Sequence, residues 1–372
     1  MNTASTSAGA VAGRLANLQA LRALAAVAVL LHNLAYVEKF RLGPLQVAPR
    51  GSSVLQAGVD IFFVLSGYLM IRTTLARPGG WRACADFLVA RAVRIYPAYW
   101  AVLLPCAAIA AIAPAIITDG PHASLLASLT LAPASNPPLV HQGWTLVREV
   151  CFYGVVGLSL LAPPRLRPYV LLIWTLAIFL GFVVGLRGAG AGLQTLLSPL
   201  CLEFLLGCTI AYLPSLGREA RLARTSLVLG LILLFAGGTE LELGRLWPSA
   251  QELWRVLFAG VPAALIVHGA VGLEAGKVWT APSWLVTLGE RSYSLYLVNL
   301  PVALLSAAGW SLARASILTH AGYLLSALLL SAGAAELLHL TVERPSLARL
   351  RRRARTSPTR AVRNWTVGGQ IP

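Results

Sequence analysis

Charged residues are scarce in this chain of 372 residues: only 12% are Asp, Glu, Lys or Arg, while 57% are hydrophobic. Soluble domains carry roughly 25% charged residues, so this composition excludes an ordinary soluble protein. Apolar runs of about 20 residues recur along the chain, and a run of that length can cross a bilayer as a helix. The sequence therefore predicts an all-α polytopic membrane protein.

Acidic residues are the scarcest of the charged residues, with 14 Asp and Glu against 30 Lys and Arg, which gives a net charge of +16. A strongly basic chain can indicate nucleic-acid binding, but the arginines here fall in alternate loops and in the tail. That distribution is typical of cytoplasmic loops in membrane proteins. It predicts about ten transmembrane helices with both termini cytoplasmic, and no nucleic acid among the partners.

Several enzyme motifs are also missing. The five cysteines are scattered without metal-ligand spacing, which indicates small buried hydrophobic residues. The sequence contains neither a phosphate-binding glycine loop nor a covalent-nucleophile motif, and residues 1–13 do not resemble a cleavable signal peptide. We expect no metal site and no permanently bound cofactor.

The sequence predicts three parts of the chain: a cytoplasmic N-terminal segment (1–16), a transmembrane domain (17–345) and a basic cytoplasmic tail (346–372) that is disordered beyond Thr356. The ten expected spans are residues 18–36, 54–75, 96–117, 144–162, 169–186, 195–213, 226–241, 256–273, 292–309 and 320–340.

The second run contains an aspartate, Asp60, within residues 58–70. A carboxylate at membrane depth is costly unless it is paired or hydrated, so such a residue normally faces the interior of the helix bundle. Asp60 is therefore a candidate site residue. The alternative is an aspartate that only caps the start of the helix.

The first run contains Arg22 and His32. Ten residues place them roughly 15 Å apart along a helix, which suits a ligand with an anionic end near Arg22 and a reactive end near His32. The alternatives are a hydrogen-bonded core histidine and an arginine whose guanidinium reaches the inner interface.

Two glutamates lie inside later spans. Glu149 could orient a histidine or share a proton with it, or it could pair with Arg148. Glu203 is either a site residue or half of an ion pair that holds helices together.

Arg91 and Arg94 precede the third span, three residues apart, and would share one face of a helix. Two guanidinium groups at the inner surface could bind phosphates bidentately. Basic loops also bind anionic lipids and set topology, so both interpretations stay open.

Several segments occur in an order that is typical of one family. They are Leu21-Arg22-Ala23-Leu24-Ala25 leading to His32, residues 58–68, 91–97, 144–153 and 203–207, and Ser292-Tyr293-Ser294-Leu295-Tyr296-Leu297 with Glu343-Arg344-Pro345. Over residues 17–345 the chain resembles the integral-membrane acyltransferase family 3, which includes the O-acetylases of O-antigen, exopolysaccharide and Nod factor.

The resemblance implies an enzyme of the bacterial inner membrane that transfers an acyl group, usually acetyl, from cytoplasmic acyl-CoA to a hydroxyl of a cell-envelope or exported glycan. Its implied partners are the lipid bilayer, acyl-CoA, a glycan or lipid-linked sugar, and polysaccharide-assembly proteins. Arg22, Arg91, Arg94 and Ser66 would bind the donor, and acetyl-CoA is a substrate rather than a cofactor. Trp144, Tyr153 and Glu203 would contact the acceptor.

The chemistry of transfer agrees with this resemblance. A sugar hydroxyl is a poor nucleophile, so a base with a pKa near neutral should remove its proton during attack on the thioester. His32 is the candidate base, with Glu149 or Asp60 orienting its ring. Ser66, Asn33 or Tyr153 could donate to the oxyanion.

Two other interpretations remain. The family usually spaces the arginine and histidine eleven residues apart, whereas ten residues leave Arg22 and His32 roughly 80° apart around a helix. Asn299 also stands where the family often has histidine. An inactive scaffold for polysaccharide assembly is therefore an alternative, as is a multi-span glycan transporter or flippase with a proton relay.

Overall fold

A computed structural model describes residues 15–43, 45, 47–48, 52–74, 78–118, 120–185, 189–212, 220–243 and 251–356. These residues form helices and turns with no strand among them, as the sequence predicts. The longer helices are α1 (Ala16–Val37), α2 (Gly58–Thr74), α3 (Trp81–Ile112), α4 (Gly143–Ser159), α5 (Arg167–Val184), α6 (Cys201–Tyr212), α7 (Ala220–Leu243), α8 (Val261–Ala275), α9 (Ser292–Trp310), α10 (Ile317–Leu338) and α11 (Arg344–Thr356).

Shorter elements connect these helices. Short α-helices lie at Pro114–Ile117, Leu125–Thr130, Ala191–Leu196, Gln251–Arg255 and Ser283–Glu290, and a 3-10 helix lies at Ser52–Ala57. Three π-helical turns continue or precede a longer helix, at Glu38–Leu42, Val256–Gly260 and His339–Glu343.

Eight helical stretches in the described part of the chain are long and apolar enough to cross a membrane. The two other predicted spans coincide with α4, which has 17 residues, and with α7. The protein is thus an all-helical, multi-pass membrane protein. The total of ten spans and the cytoplasmic position of both termini stay predictions.

Two boundaries differ from the sequence-based prediction. The third span was expected to start at residue 96, but α3 already begins at Trp81, so Arg91 and Arg94 lie within a continuous helix. At the other end, the helical part continues past the predicted end of the transmembrane domain at residue 345, because α11 runs to Thr356. Disorder beyond Thr356 stays a prediction. Residues 357–372 lie outside the described residues.

The helices α1, α2, α8 and α9 form the inside of the bundle. Nearly two thirds of each apolar stretch is buried: 61% for the stretches that contain α1, α2 and α8, and 67% for α9. The corresponding share is 28% for α5 and for the stretch that contains α10. Since lipid covers the outer helices, polar residues of α1, α2 and α9 are enclosed by protein.

The helices α2 and α6 touch through their backbones. A Cβ atom added at Gly67 would lie 1.9 Å from the carbonyl oxygen of Phe204, and one added at Gly207 would lie 2.0 Å from that of Val64. Small residues allow this approach in membrane helices. The contact brings the carboxyl groups of Asp60 and Glu203 next to each other.

Candidate active site

A narrow cavity in the middle of the bundle collects many of the predicted site residues. Its volume is about 80 Å³. We call it the arginine cavity. Its polar lining consists of Arg22, Ser66, Arg91, Arg94, Thr145, Glu149, Tyr153, Tyr293 and Tyr296, and its apolar lining includes Val59 and Phe62.

Three arginines from two helices converge on this cavity. Arg22 of α1 is 8% exposed, and its Nε donates to Ser292 Oγ at 3.3 Å. Arg91 of α3 is 2% exposed, with its guanidinium near the rings of Phe87 and Tyr153. Since a buried guanidinium cannot give up its proton readily, the cavity carries positive charge.

Arg94 of α3 is anchored by a carboxylate that the sequence did not single out for a role. It forms an ion pair with Glu343. The other oxygen of Glu343 accepts from Ser294 Oγ at 2.6 Å and contacts His339 Nδ1 at 2.9 Å. The π-helical turn His339–Glu343 places these last two residues together. Glu343 thus ties α3 to α9 and α10, and the Glu343-Arg344-Pro345 motif was the signal for it.

Glu149 lies in the arginine cavity rather than beside His32. Its Oε1 accepts from Ser66 Oγ at 3.1 Å and from Tyr153 Oη. The alternative pairing with Arg148 is not formed either, because Arg148 Nη2 donates to Glu252 at 2.9 Å. Ser66, Glu149 and Tyr153 therefore form one polar chain along the wall of the cavity.

His32 lines a second, wider cavity of about 360 Å³. We call it the histidine cavity. Its polar lining includes His32, Asn33, Gln56, Thr118, His122, His141, Gln142 and Trp144, together with Tyr296. Much of this wall comes from residues 117–142, the segment between α3 and α4.

The orientation of His32 differs from the prediction. Its Nδ1 lies 3.0 Å from the carbonyl oxygen of Ser52, in the 3-10 helix before α2. The expectation that Glu149 or Asp60 orients the ring is wrong, because both carboxylates have other partners. Arg22 and His32 line different cavities.

Asp60 and Glu203 form a buried charge cluster with Arg255. Asp60 accepts two hydrogen bonds from Arg255, at 2.9 and 3.0 Å, and is 1% exposed. Glu203 beside it is 0% exposed and packs against Gly260. Neither acid belongs to the lining of the two cavities in the described residues. The ion pair of Asp60 with Arg255 favours a role in holding helices together. The catalytic role of Asp60 and the substrate contact of Glu203 stay predictions.

Arg255 was missed in the sequence because it directly precedes the predicted eighth span and resembled an ordinary loop residue. Its guanidinium also lies 5.6 Å from the centre of the Trp144 ring, and that of Arg148 lies 5.1 Å from it. These cation–π contacts fix Trp144 at the wall of the histidine cavity.

The side chain of Asn299 on α9 has hydrogen-bond partners on both of its polar atoms. Its Oδ1 accepts from Asn33 Nδ2 at 2.6 Å, while its own Nδ2 donates to the carbonyls of Leu295 and Tyr296. An amide therefore links α1 to α9 where the family often has a histidine. Among the described residues, no group of three or more His, Cys, Asp or Glu is arranged to hold a metal ion.

The two cavities adjoin. Val59 of α2 and Tyr296 of α9 line both of them. The arginine cavity therefore lies on one side of these two residues, and the histidine cavity lies on the other.

Comparison with known proteins gives the family. The acyltransferase-domain family profile matches residues 15–336. The chain is 33% identical over 317 residues to the exopolysaccharide production protein ExoZ of Rhizobium meliloti (strain 1021), a match that covers 81% of this chain and 92% of that protein. No solved structure matches significantly. The protein belongs to the membrane acyltransferase family 3 and is an acyltransferase.

Proposed function

We propose that this protein transfers an acyl group, in the first instance acetyl, from cytoplasmic acyl-CoA to a hydroxyl group of an exopolysaccharide or another exported glycan. The observation that carries the proposal is the pair of adjoining cavities in a chain of the acyltransferase family. The name of the relative, an exopolysaccharide production protein, supports a glycan acceptor. The inner membrane of a bacterium is the corresponding location.

The arginine cavity is the donor site in this proposal. Arg22, Arg91 and Arg94 attract an anionic donor into surroundings that are otherwise apolar. Their three positive charges exceed the two negative charges of Glu149 and Glu343, so the region keeps a net positive charge. Its narrow shape suits the thin pantetheine arm of a CoA thioester, with the phosphates toward the inner surface. Ser66 lies along the path of the thioester.

The histidine cavity is the acceptor site. The hydrogen bond at His32 Nδ1 leaves Nε2 as the nitrogen that can take a proton from a sugar hydroxyl. Trp144 lies in the wall of the same cavity, and the loop between α3 and α4 supplies amide and imidazole groups that can bind sugar hydroxyls.

The transfer then follows from the two positions. His32 accepts the proton as the sugar oxygen attacks the thioester carbonyl carbon, so that the new C–O bond forms. When the C–S bond breaks, the CoA sulfur receives the proton from the imidazolium and leaves as a thiol. A side-chain donor near the reacting carbonyl, for which Ser66, Asn33 and Tyr153 are the candidates, stabilises the oxyanion.

The test uses the purified protein in lipid nanodiscs with acetyl-CoA labelled in the acetyl group. Glycolipid from host membranes is the acceptor, and label in the glycan and free CoA thiol are both measured. We expect labelled glycan and an equal amount of thiol. If neither acetyl-CoA nor longer acyl-CoAs are consumed, while glycan crosses the bilayer of sealed vesicles, the protein is a transporter instead.

A further inference from the structure

Two residues separate the cavities, and neither has a role in the chemistry described so far. Tyr296 is 7% exposed and Val59 is 5% exposed, and both face the arginine cavity on one side and the histidine cavity on the other. A group that passes directly from the donor in one cavity to the acceptor in the other therefore passes beside these two side chains.

Hydrogen bonds hold Tyr296 in place across this passage. Its hydroxyl lies 2.7 Å from Thr145 Oγ1 and donates to the carbonyl oxygen of Gln142 at 3.3 Å. Thr145 Oγ1 is itself 2.9 Å from the same carbonyl. The ring of Tyr296, carried by α9, is therefore tethered at its far end to the start of α4. A tethered ring cannot swing aside unless these bonds break.

The sides of the Tyr296 ring are also occupied. The Phe62 ring packs against it in an edge-to-face arrangement, and the two ring centres are 6.0 Å apart. Phe62 and Val59 both belong to α2, so α2 and α9 approach each other on the arginine side of the passage. A side chain that is tethered and packed in this way limits the width of what can cross.

From this geometry we propose that Tyr296, tethered by Thr145 and facing Val59, is the specificity-determining residue that restricts the donor to short acyl groups. The inference rests on the proposed function, since it assumes that acyl-CoA enters the arginine cavity. An acetyl group adds only a methyl beyond the thioester carbonyl, and it can reach the passage without displacing the ring. A long acyl chain would have to displace the ring, or fold back into the arginine cavity beside the pantetheine arm that already fills it.

The experiment measures kcat/KM for acetyl-, butyryl- and octanoyl-CoA with the full-length protein in nanodiscs and host glycolipid as acceptor. The wild type should prefer acetyl-CoA over octanoyl-CoA by at least about 30-fold. Tyr296→Ala should reduce that preference about tenfold or more, because octanoyl transfer rises. Tyr296→Phe, which keeps the ring but loses the tether, should reduce it less.

Two further variants keep the test decisive if Tyr296→Ala does not fold. Val59→Ala widens the passage from the opposite side and should shift the preference toward longer chains, whereas Val59→Phe should lower butyryl transfer relative to acetyl. Tyr169→Ala is the matched control, because Tyr169 is 60% exposed and lines neither of the two cavities; the preference should stay as in the wild type.

The measured preferences distinguish a failure of the proposed function from a failure of the specificity role of Tyr296. If no donor is consumed by any variant, the proposed function fails. If acetyl transfer is present but the wild type uses octanoyl-CoA equally well, or the Tyr296 and Val59 variants leave the preference unchanged, the specificity role of Tyr296 is wrong and the proposed function stands.

Discussion

The two cavities are built in different ways. The arginine cavity is formed by residues of α1, α2, α3, α4 and α9, and ionic or charge-assisted bonds fix its polar groups, such as the pair Arg94–Glu343. The histidine cavity takes much of its wall from residues 117–142, and its polar groups are held by bonds such as that of His32 to the Ser52 carbonyl. The arginine cavity, which is built from helices, suits a donor that many enzymes share. The histidine cavity, which has a loop in its wall, suits an acceptor that differs from one enzyme to the next.

Replacing His32 should have the largest effect on catalysis. We expect His32→Ala to lower transfer about 10²- to 10⁴-fold, the contribution that general bases typically make, while donor binding is unchanged. Rates of glycan labelling and donor binding in nanodiscs measure the two quantities. His268→Ala is the matched control, since His268 lies 3.0 Å from Ser226 Oγ and lines neither of the two cavities; it should change the rate little. Undiminished transfer by His32→Ala would remove His32 as the base.

Replacing Asp60 should mainly affect stability. Asp60→Ala leaves Arg255 buried without its carboxylate, and breaking such a pair costs about 3–5 kcal/mol. Thermal and denaturant unfolding of the purified protein measures this loss. The double variant Asp60→Ala with Arg255→Ala should recover part of it, because the unpaired buried guanidinium is removed as well. A normally stable Asp60→Ala protein that transfers nothing would restore the catalytic role predicted from the sequence.

Replacing Arg94 should weaken donor binding and leave the histidine cavity unchanged. Arg94→Ala should weaken acyl-CoA binding about 10- to 100-fold, which corresponds to the 1.5–3 kcal/mol of a hydrogen bond to a charged group. Calorimetry with acetyl-CoA measures the change. Arg291→Ala is the control: Arg291 is also an arginine paired with a glutamate, Glu336, but it does not line the cavity. Equal donor affinity for Arg94→Ala and the wild type would contradict the donor site.

The smallest effect is expected for the partly exposed pair of Arg148 and Glu252, whose side chains are 19% and 39% exposed. Such pairs contribute about 0.2–1 kcal/mol, so Arg148→Ala should lower the free energy of unfolding by less than about 1 kcal/mol. The same unfolding experiments measure it. A loss as large as that of Asp60→Ala would show that Arg148 acts through Trp144 rather than through Glu252.

The helical part of the site could largely be predicted from sequence. Charged residues are rare within apolar runs, so Arg22, Glu149 and Glu203 stood out, and helix periodicity placed Arg91 and Arg94 on one face. Partner choice could not be predicted, because it depends on how distant helices pack. Asp60 meets Arg255, 195 residues away, and Arg94 meets Glu343, 249 residues away.

The lining of the histidine cavity and the residues between the two cavities were harder to predict, because their positions also depend on tertiary packing. The loop of residues 117–142 has no periodicity that predicts which side chains point inward. Tyr296 and Val59 are ordinary members of apolar helices, and only the tertiary fold gives them a shared position between the cavities.

The central claim is that the two cavities divide the reaction between donor binding and hydroxyl activation. The most direct test measures acetyl-CoA affinity and single-turnover transfer for His32→Ala and Arg94→Ala side by side, in nanodiscs with saturating glycolipid. We predict that His32→Ala binds donor like the wild type but transfers about 10²- to 10⁴-fold more slowly, and that Arg94→Ala binds weakly yet transfers once saturated. If His32→Ala loses donor binding, or if Arg94→Ala keeps it, the division of roles between the cavities is contradicted.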